Sequence, residues 1–317
     1  MMLSFFVKRS LDLLFVLFGV SVLVFLMIRL IPGDAVQIML GANTEITPEG
    51  LAALREKLGL NKPILVQYWD WLSAALRGDL GQSIWTGRPI SDEILQRLPI
   101  TLELTILSLI IAVGLSIPVG VLTAYWRNSS AEYIIRLFSI TGVTLPSFWL
   151  GTLLIFLVFK LAPGWQTLGY VPFSQDPWGH ISRLILPVIT LSLPMLAGLS
   201  RVLRSSLLDV LNQDYIRTAR AKGLSERVVL YKHALRNALI PLVTVIGIQV
   251  GYLFGGAIVV EQVFAIPGMG RLILGAISER NYPLIQGAIL LVTVAFVLIN
   301  LLVDLIYARL DPRVEYA

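Results

Sequence analysis

An all-α integral membrane protein with six transmembrane helices is predicted by three features of the sequence. Of 317 residues, 56% are hydrophobic and only 14% are charged, against about 25% charged in a soluble domain. The apolar residues include Leu, Ile and Val gathered into long uninterrupted blocks, the pattern expected where lipid replaces a soluble core. Six of those blocks contain no Asp, Glu, Lys or Arg. The mean hydropathy of +0.79 agrees.

A bilayer core of about 30 Å needs roughly 20 helical residues, and each central charge adds about 2.5 to 3.5 kcal/mol to the cost of insertion. The charge-free runs cover 13–28, 104–125, 137–159, 184–200, 237–260 and 281–303. The first and fourth are short, but Arg29 and Arg201 follow them and can snorkel to the interface, so both can span. A cleaved signal peptide is the alternative for the first run, because Lys8 and Arg9 precede it. The segment that follows, Arg29-Leu-Ile-Pro-Gly-Asp34, has no small-x-small cleavage site, so a retained helix is expected.

Between the first two spans, residues 32–99 form the one large extramembrane segment. Thr47 as N-cap, Pro48 at the first helical position and Gly59 after Leu58 frame one short helix, and a second is expected over 63–76. Gly78, Gly81, Gly87 and Pro89 then mark a turn-rich stretch.

Charge sets the direction. Residues 201–236 carry Arg201, Arg204, Arg217, Arg220, Lys222, Arg227, Lys232 and Arg236 against Asp209, Asp214 and Glu226, so this loop is expected in the cytoplasm. Counting outward places both termini inside and 32–99 outside. The 161–182 loop has no Lys or Arg before Arg183 and carries Trp165 and Trp178, as an outer loop should. The expected organisation is 1–31 as N-terminus and first helix, 32–99 as extracytoplasmic helical insertion, 100–307 as the transmembrane core with a cytoplasmic loop at 204–238, and 308–317 as cytoplasmic tail.

Several function classes are disfavoured by what the chain lacks. Its net charge of +5 would suggest nucleic acid in a soluble protein, but basic cytoplasmic loops account for it here, and no nucleic-acid partner is expected. There is no Cys, and His180 and His233 are far apart, so neither a thiolate nor a multi-His metal site is expected. A membrane-embedded enzyme would need clustered nucleophiles or metal ligands, and none is apparent. A secondary transporter or channel should show mid-membrane ionisable residues or paired broken helices, which are also missing.

The informative segment is Asp214-Tyr-Ile-Arg-Thr-Ala-Arg-Ala-Lys-Gly223-Leu-Ser225. Asp214 can N-cap a helix whose last turn holds Arg220 and Lys222, where cations suit the dipole. Gly223 can supply the left-handed residue after it, and Ser225 can cap the next helix. A basic helical hairpin on the cytoplasmic side could lie near anionic lipid or dock into a cleft of a soluble partner. Small residues at Ala219, Ala221 and Gly223 favour docking, because they permit close backbone approach.

This segment resembles the cytoplasmic coupling loop of bacterial ATP-binding-cassette importer permeases, whose general pattern is Glu-Ala-Ala, three residues, Gly, and later Pro. Arg217, Thr218, Ala219, Gly223 and Pro241 occupy those places. Arg217 and Thr218 depart from the general pattern and match the dipeptide/oligopeptide/nickel branch, which reads Tyr-x-Arg-Thr-Ala-Arg-Ala-Lys-Gly, as Tyr215 to Gly223 do here. Further segments resemble the same branch in order: Arg29-Leu-Ile-Pro-Gly-Asp34, Leu58-Gly-Leu-Asn-Lys-Pro63, Gly78-Asp-Leu-Gly81, Arg97-Leu-Pro-Ile-Thr-Leu-Glu-Leu104, Val260-Glu-Gln-Val-Phe264, Pro267-Gly-Met-Gly270, Asn300-Leu-Leu-Val-Asp304 and Asp311-Pro-Arg313.

The resemblance implies a type I importer permease fold in the bacterial inner membrane. It implies pairing with a homologous permease as a heterodimer, two ATPase subunits inside, a solute-binding protein outside, and lipid around the whole. Tyr215, Arg217, Thr218, Ala219, Arg220, Ala221, Lys222, Gly223, Leu224 and Ser225 would form the ATPase-coupling loop. The chain has no Gly-x-x-x-x-Gly-Lys-Ser/Thr loop, so it is expected to bind no cofactor itself, with ATP and Mg used by the partner ATPases. The branch carries peptides, glutathione, nickel chelates or other small solutes, chosen largely by the binding protein. Gln249, Gln286 and Asn300 lie deep in spans and are candidates for the solute path or for interhelical bonds. Arg29, Glu103, Lys160 and Asp304 lie at run ends, where snorkelling or capping is expected. Pro118, Pro146, Pro187, Pro194 and Pro241 are expected to kink spans.

Overall fold

A computed structural model describes residues 2–30 and 61–310. The short helix expected between Thr47 and Gly59, and the Asp311-Pro-Arg313 segment, lie outside the described residues. The elements are α1 (Met2–Arg29), α2 (Ile64–Leu76), α3 (Ile90–Tyr125), α4 (Ser130–Thr144), α5 (Ser147–Leu161), α6 (Pro177–Leu211), α7 (Asp214–Ala221), α8 (Glu226–Val228), a π-helical turn (Val229–Ala234), α9 (Leu235–Val263), α10 (Met269–Ser278) and α11 (Tyr282–Leu310). Among the described residues there is no β-strand beyond one isolated bridge, Gln82 with Pro89.

Among the described residues five helices are long and apolar enough to cross a bilayer: α1, α3, α6, the α8–α9 stretch and α11. The third expected span is different. Residues 137–159 do not form one helix, because α4 and α5 meet at 112°. Leu145 and Pro146 take extended ψ values of 127° and 137°. Pro146 lacks the N–H that would continue the helix and disfavours helical geometry at Leu145, so the chain can part there into two short apolar helices. Pro146 is thus a break and not a kink, whereas Pro187, Pro194 and Pro241 do lie inside helices.

The chain divides into two compact units, Met1–Ile100 with Gly268–Leu298, and Thr101–Pro267 with Ile299–Ala317. In the first, α2 packs on α1 through Tyr68, whose ring stands edge-on to Phe25 at 5.2 Å and whose hydroxyl shares a 2.7 Å hydrogen bond with Ser21. Arg29 covers the Phe25 ring at 3.5 Å and donates to Gln67, so its cation is held by packing as well as by reach. A second cluster buries Leu80, Ile90, Ile94, Met269, Leu272 and Leu284. Gly287 lets α11 approach closely, since a Cβ there would stand 2.8 Å from Ile90 Cγ2. The expected turn-rich stretch is pinned to the start of α11 by Asn281, which donates to Ser83 Oγ at 2.8 Å.

The second unit is organised around α6, which packs along α9 and α4. Asp176 caps it by accepting from Gly179 N at 3.0 Å, and Pro177 opens it, a position where the missing N–H costs nothing. Thr101 Oγ1 donates to the fully buried Glu261 at 2.5 Å, which ties the neighbouring part of α3 to α9.

Candidate functional site

The hairpin after α6 has the local geometry its sequence implies, with one shift. Gln213 occupies the N-cap position of α7 at φ −74° and ψ 151°, and Asp214 falls in the first turn. The departure from helical geometry comes one residue earlier than expected. Asp214 still favours the N-terminus electrostatically, and it accepts from Arg217 Nη1 at 3.2 Å. At the other end Gly223 N donates to Arg220 O at 2.9 Å and Leu224 N to Ala219 O at 3.4 Å, the paired bonds of a Schellman stop. Gly223 has φ +76°, and nothing lies within 4 Å of where its Cβ would be. Glycine is needed there for its backbone, not for space.

Ser225 stands at the N-cap of α8 as expected, but its side chain makes no capping bond. The turn is closed instead by Arg220, which donates to both Glu226 oxygens at 2.8 and 3.2 Å. Ile216 is fully buried and Ala219 nearly so, facing the π-helical turn where Val229 and Ala234 are also fully buried. Asn237 Nδ2 donates to Tyr215 OH at 2.8 Å and ties the base of the hairpin to α9. The small size of Ala219 therefore serves packing within the chain. Arg217, Thr218, Arg220, Ala221, Lys222, Gly223, Leu224 and Ser225 are exposed and form the outer face. The π-helical turn was not readable in advance, since Val-Leu-Tyr-Lys-His-Ala carries no sequence mark that separates i→i+5 from i→i+4 bonding.

The three deep polar candidates are divided between the two units. Gln249 borders a cavity of about 490 Å³ between the α4–α5 bend, α6 and α9, together with Ser147, Thr190, Arg201 and Tyr252. Its Nε2 lies 3.2 Å from the Cβ position of Gly198, so a side chain there would displace the amide. Gln286 belongs to the first unit and is buried with Nε2 unbonded. Asn300 is half-buried in the second.

Glu103 is neither a snorkelling nor a capping group. It accepts from Tyr170 OH at 2.8 Å and pairs with His180 Nε2 at 2.9 Å, while His180 Nδ1 is 2.8 Å from Val171 O. Burial and the neighbouring Glu103 carboxylate push the Tyr170 phenol up to about 12, so it remains a hydrogen-bond donor. This network fastens the 162–176 loop to α3. Lys160 is exposed at the end of α5, as expected for a snorkelling residue.

Residues 116–316 match the family described as the binding-protein-dependent transport system inner membrane component, and residues 2–105 match the N-terminal region of such membrane components. The chain is 44% identical over 316 residues to the glutathione transport system permease protein GsiC of Escherichia coli strain K12, covering 99% of this chain and all of that protein. The GsiC of Salmonella choleraesuis strain SC-B67 gives the same identity and coverage. In three dimensions the chain is similar to a chain of the MetNI methionine ABC transporter in an inward-facing crystal form, with a TM-score of 0.56 and 19% identity over 69% of this chain and 96% of that one. That likeness is one of fold.

Proposed function

The chain belongs to the inner-membrane components of binding-protein-dependent transport systems, and from that premise we propose how it couples ATP hydrolysis to solute passage. It is a permease subunit of an ATP-binding-cassette importer, a multi-pass protein of the bacterial inner membrane, and ATP is hydrolysed by separate ATPase subunits. In our reading it pairs with a homologous permease to enclose the path, both termini face the cytoplasm, and a binding protein delivers solute from outside. The hairpin Tyr215 to Ser225 seats in a cleft of an ATPase subunit that itself binds ATP and Mg. Because the relatives at 44% identity are named for glutathione transport, we assign the solute to small peptides, glutathione among them.

The observation that carries the coupling role is the rigidity of the hairpin. Closure of two ATPases must alter a path tens of Å away, and only an element with a fixed shape can transmit that motion. Here a Schellman stop, a bidentate Arg220–Glu226 bridge and the buried Ile216 fix the bend, while the exposed face is free to be gripped. Gly223→Val tests it. A β-branched residue at φ +76° is strained by about 1 to 3 kcal/mol, and relieving that strain unseats the turn. The variant should insert and assemble with its partner permease normally, yet recruit ATPase weakly and lose uptake. Normal recruitment and uptake at normal membrane levels would exclude the hairpin as the coupling element.

A further inference from the structure

A basic cavity at one end of the second unit is not used by the coupling mechanism. Glu132 is 1% exposed, and its carboxylate is fully engaged: Oε2 accepts Asn128 N at 2.6 Å, while Oε1 accepts from Arg204 and lies 3.8 Å from Arg136 Nη1. Arg201 also borders the cavity, with no ion-pair partner among the described residues, and Arg204 Nε is buried without a hydrogen bond. Three guanidinium groups therefore line the cavity, and two of them, Arg204 and Arg136, face the one Glu132 carboxylate. The space they border with Thr123, Ser139 and Ser200 is about 150 Å³, several times the roughly 30 Å³ share of one water and too small for a whole tripeptide.

The depth of this cavity names its occupant. Arg136 immediately precedes the charge-free run 137–159, Arg201 immediately follows 184–200, and Thr123 lies two residues from the end of 104–125. Three helices thus bring their lining residues to the edge of the hydrocarbon, where phosphodiester groups lie. We propose that the inner ends of α3, α4 and α6 bind the phosphate of an anionic phospholipid through Arg136, Arg201 and Arg204. Guanidinium groups match phosphate oxygens in bidentate geometry, and basic pockets between helices on the cytoplasmic side suit anionic headgroups. Glu132 positions Arg204 and limits the excess charge that the empty site would carry.

The test uses the assembled importer, delipidated in detergent and titrated with phosphatidylglycerol, with phosphatidylcholine, or with inorganic phosphate in phosphatidylcholine. Phosphatidylglycerol should raise the unfolding temperature of this chain by roughly 5 °C over phosphatidylcholine, the size expected for a ligand at about a hundred times its Kd. Arg136→Gln and Arg201→Gln should each remove at least half of that shift. Arg127→Gln, an exposed charge on the loop before α4, should keep it. An equal shift in all three variants would reduce the effect to general surface charge and overturn the site. A shift from inorganic phosphate as large as that from phosphatidylglycerol would overturn the lipid as occupant. The readout is the unfolding of this chain and neither ATPase recruitment nor uptake, so this test and that of the coupling hairpin fail separately.

Discussion

The Tyr215–Ser225 hairpin and the α4–α5 pair are both bends between short helices, but they are made in opposite ways. In the hairpin, the determinants of the turn itself are local: Gly223 at φ +76°, the Arg220 and Leu224 backbone bonds, and the Arg220–Glu226 bridge all fall within a dozen residues. In the α4–α5 pair the local signal is a single Pro146 inside an apolar run long enough for one span. Pro is tolerated in many transmembrane helices, so composition alone favours a kinked span. What favours the break is packing. Gly151 on α5 sits where a Cβ would approach Phe264 Cε2 to 2.9 Å, so α5 docks closely on the end of α9. The comparison teaches that a bend with a positive φ is written in its own residues, while a bend at Pro depends on a distant surface.

The largest effect that would sharpen this contrast is expected from Ile216→Asp. Placing a carboxylate at a fully buried position against Val229 and Ala234 should cost about 3 to 5 kcal/mol of local stability. The hairpin should then detach, and ATPase recruitment to membranes containing the variant should be lost. Retention of normal recruitment would show that the hairpin does not need its own packing.

Next in size is Gly151→Leu, which forces a branched side chain against Phe264 and Val263 and should cost about 1 to 3 kcal/mol. Pro146→Ala should cost less, about 0.5 to 1 kcal/mol, chiefly through the freer unfolded chain. Because the native chain has no Cys, spin labels at cysteines replacing the exposed Tyr133 and Phe156 report the bend directly. The distance should persist in Pro146→Ala and change in Gly151→Leu. The reverse pattern would make the bend a local property after all and erase the distinction.

The smallest effect belongs to Glu226→Gln. Arg220 and Glu226 are 42% and 63% exposed, and exposed pairs contribute about 0 to 1 kcal/mol. Uptake at moderate salt should fall less than about threefold, and the residual difference from the native chain should vanish as ionic strength rises. A larger, salt-independent loss would mean that the pair is buried in the assembled importer.

The legibility of the chain follows the same division. Five of the six long apolar helices, and the limits of α2 to within one residue, were readable because they depend on charge-free length and on residues such as Pro63 and Gly78 that act on their own backbone. The hairpin was readable for the same reason, apart from the one-residue shift of its N-cap to Gln213 and the inward turn of Ala219. Glu132 could have been anticipated from Ser129-Ser-Ala-Glu132, a capping-box spacing in which Ser129 Oγ accepts from Glu132 N at 3.2 Å. Its arginine partner could not, since Arg204 lies 72 residues away.

Sequence by itself determined that this chain enters a membrane and that a glycine-stopped basic hairpin lies between two spans. Those properties arise from transfer free energy, charge and single-residue backbone preference, all of which act without knowledge of the fold. Only the tertiary structure decided that the third apolar run breaks at Pro146, that Glu103 fastens the 162–176 loop through Tyr170 and His180, and that three arginines from two helices line one cavity. Each of these joins residues distant in sequence, and such a contact has an energy only once the intervening helices have packed and excluded the solvent between them.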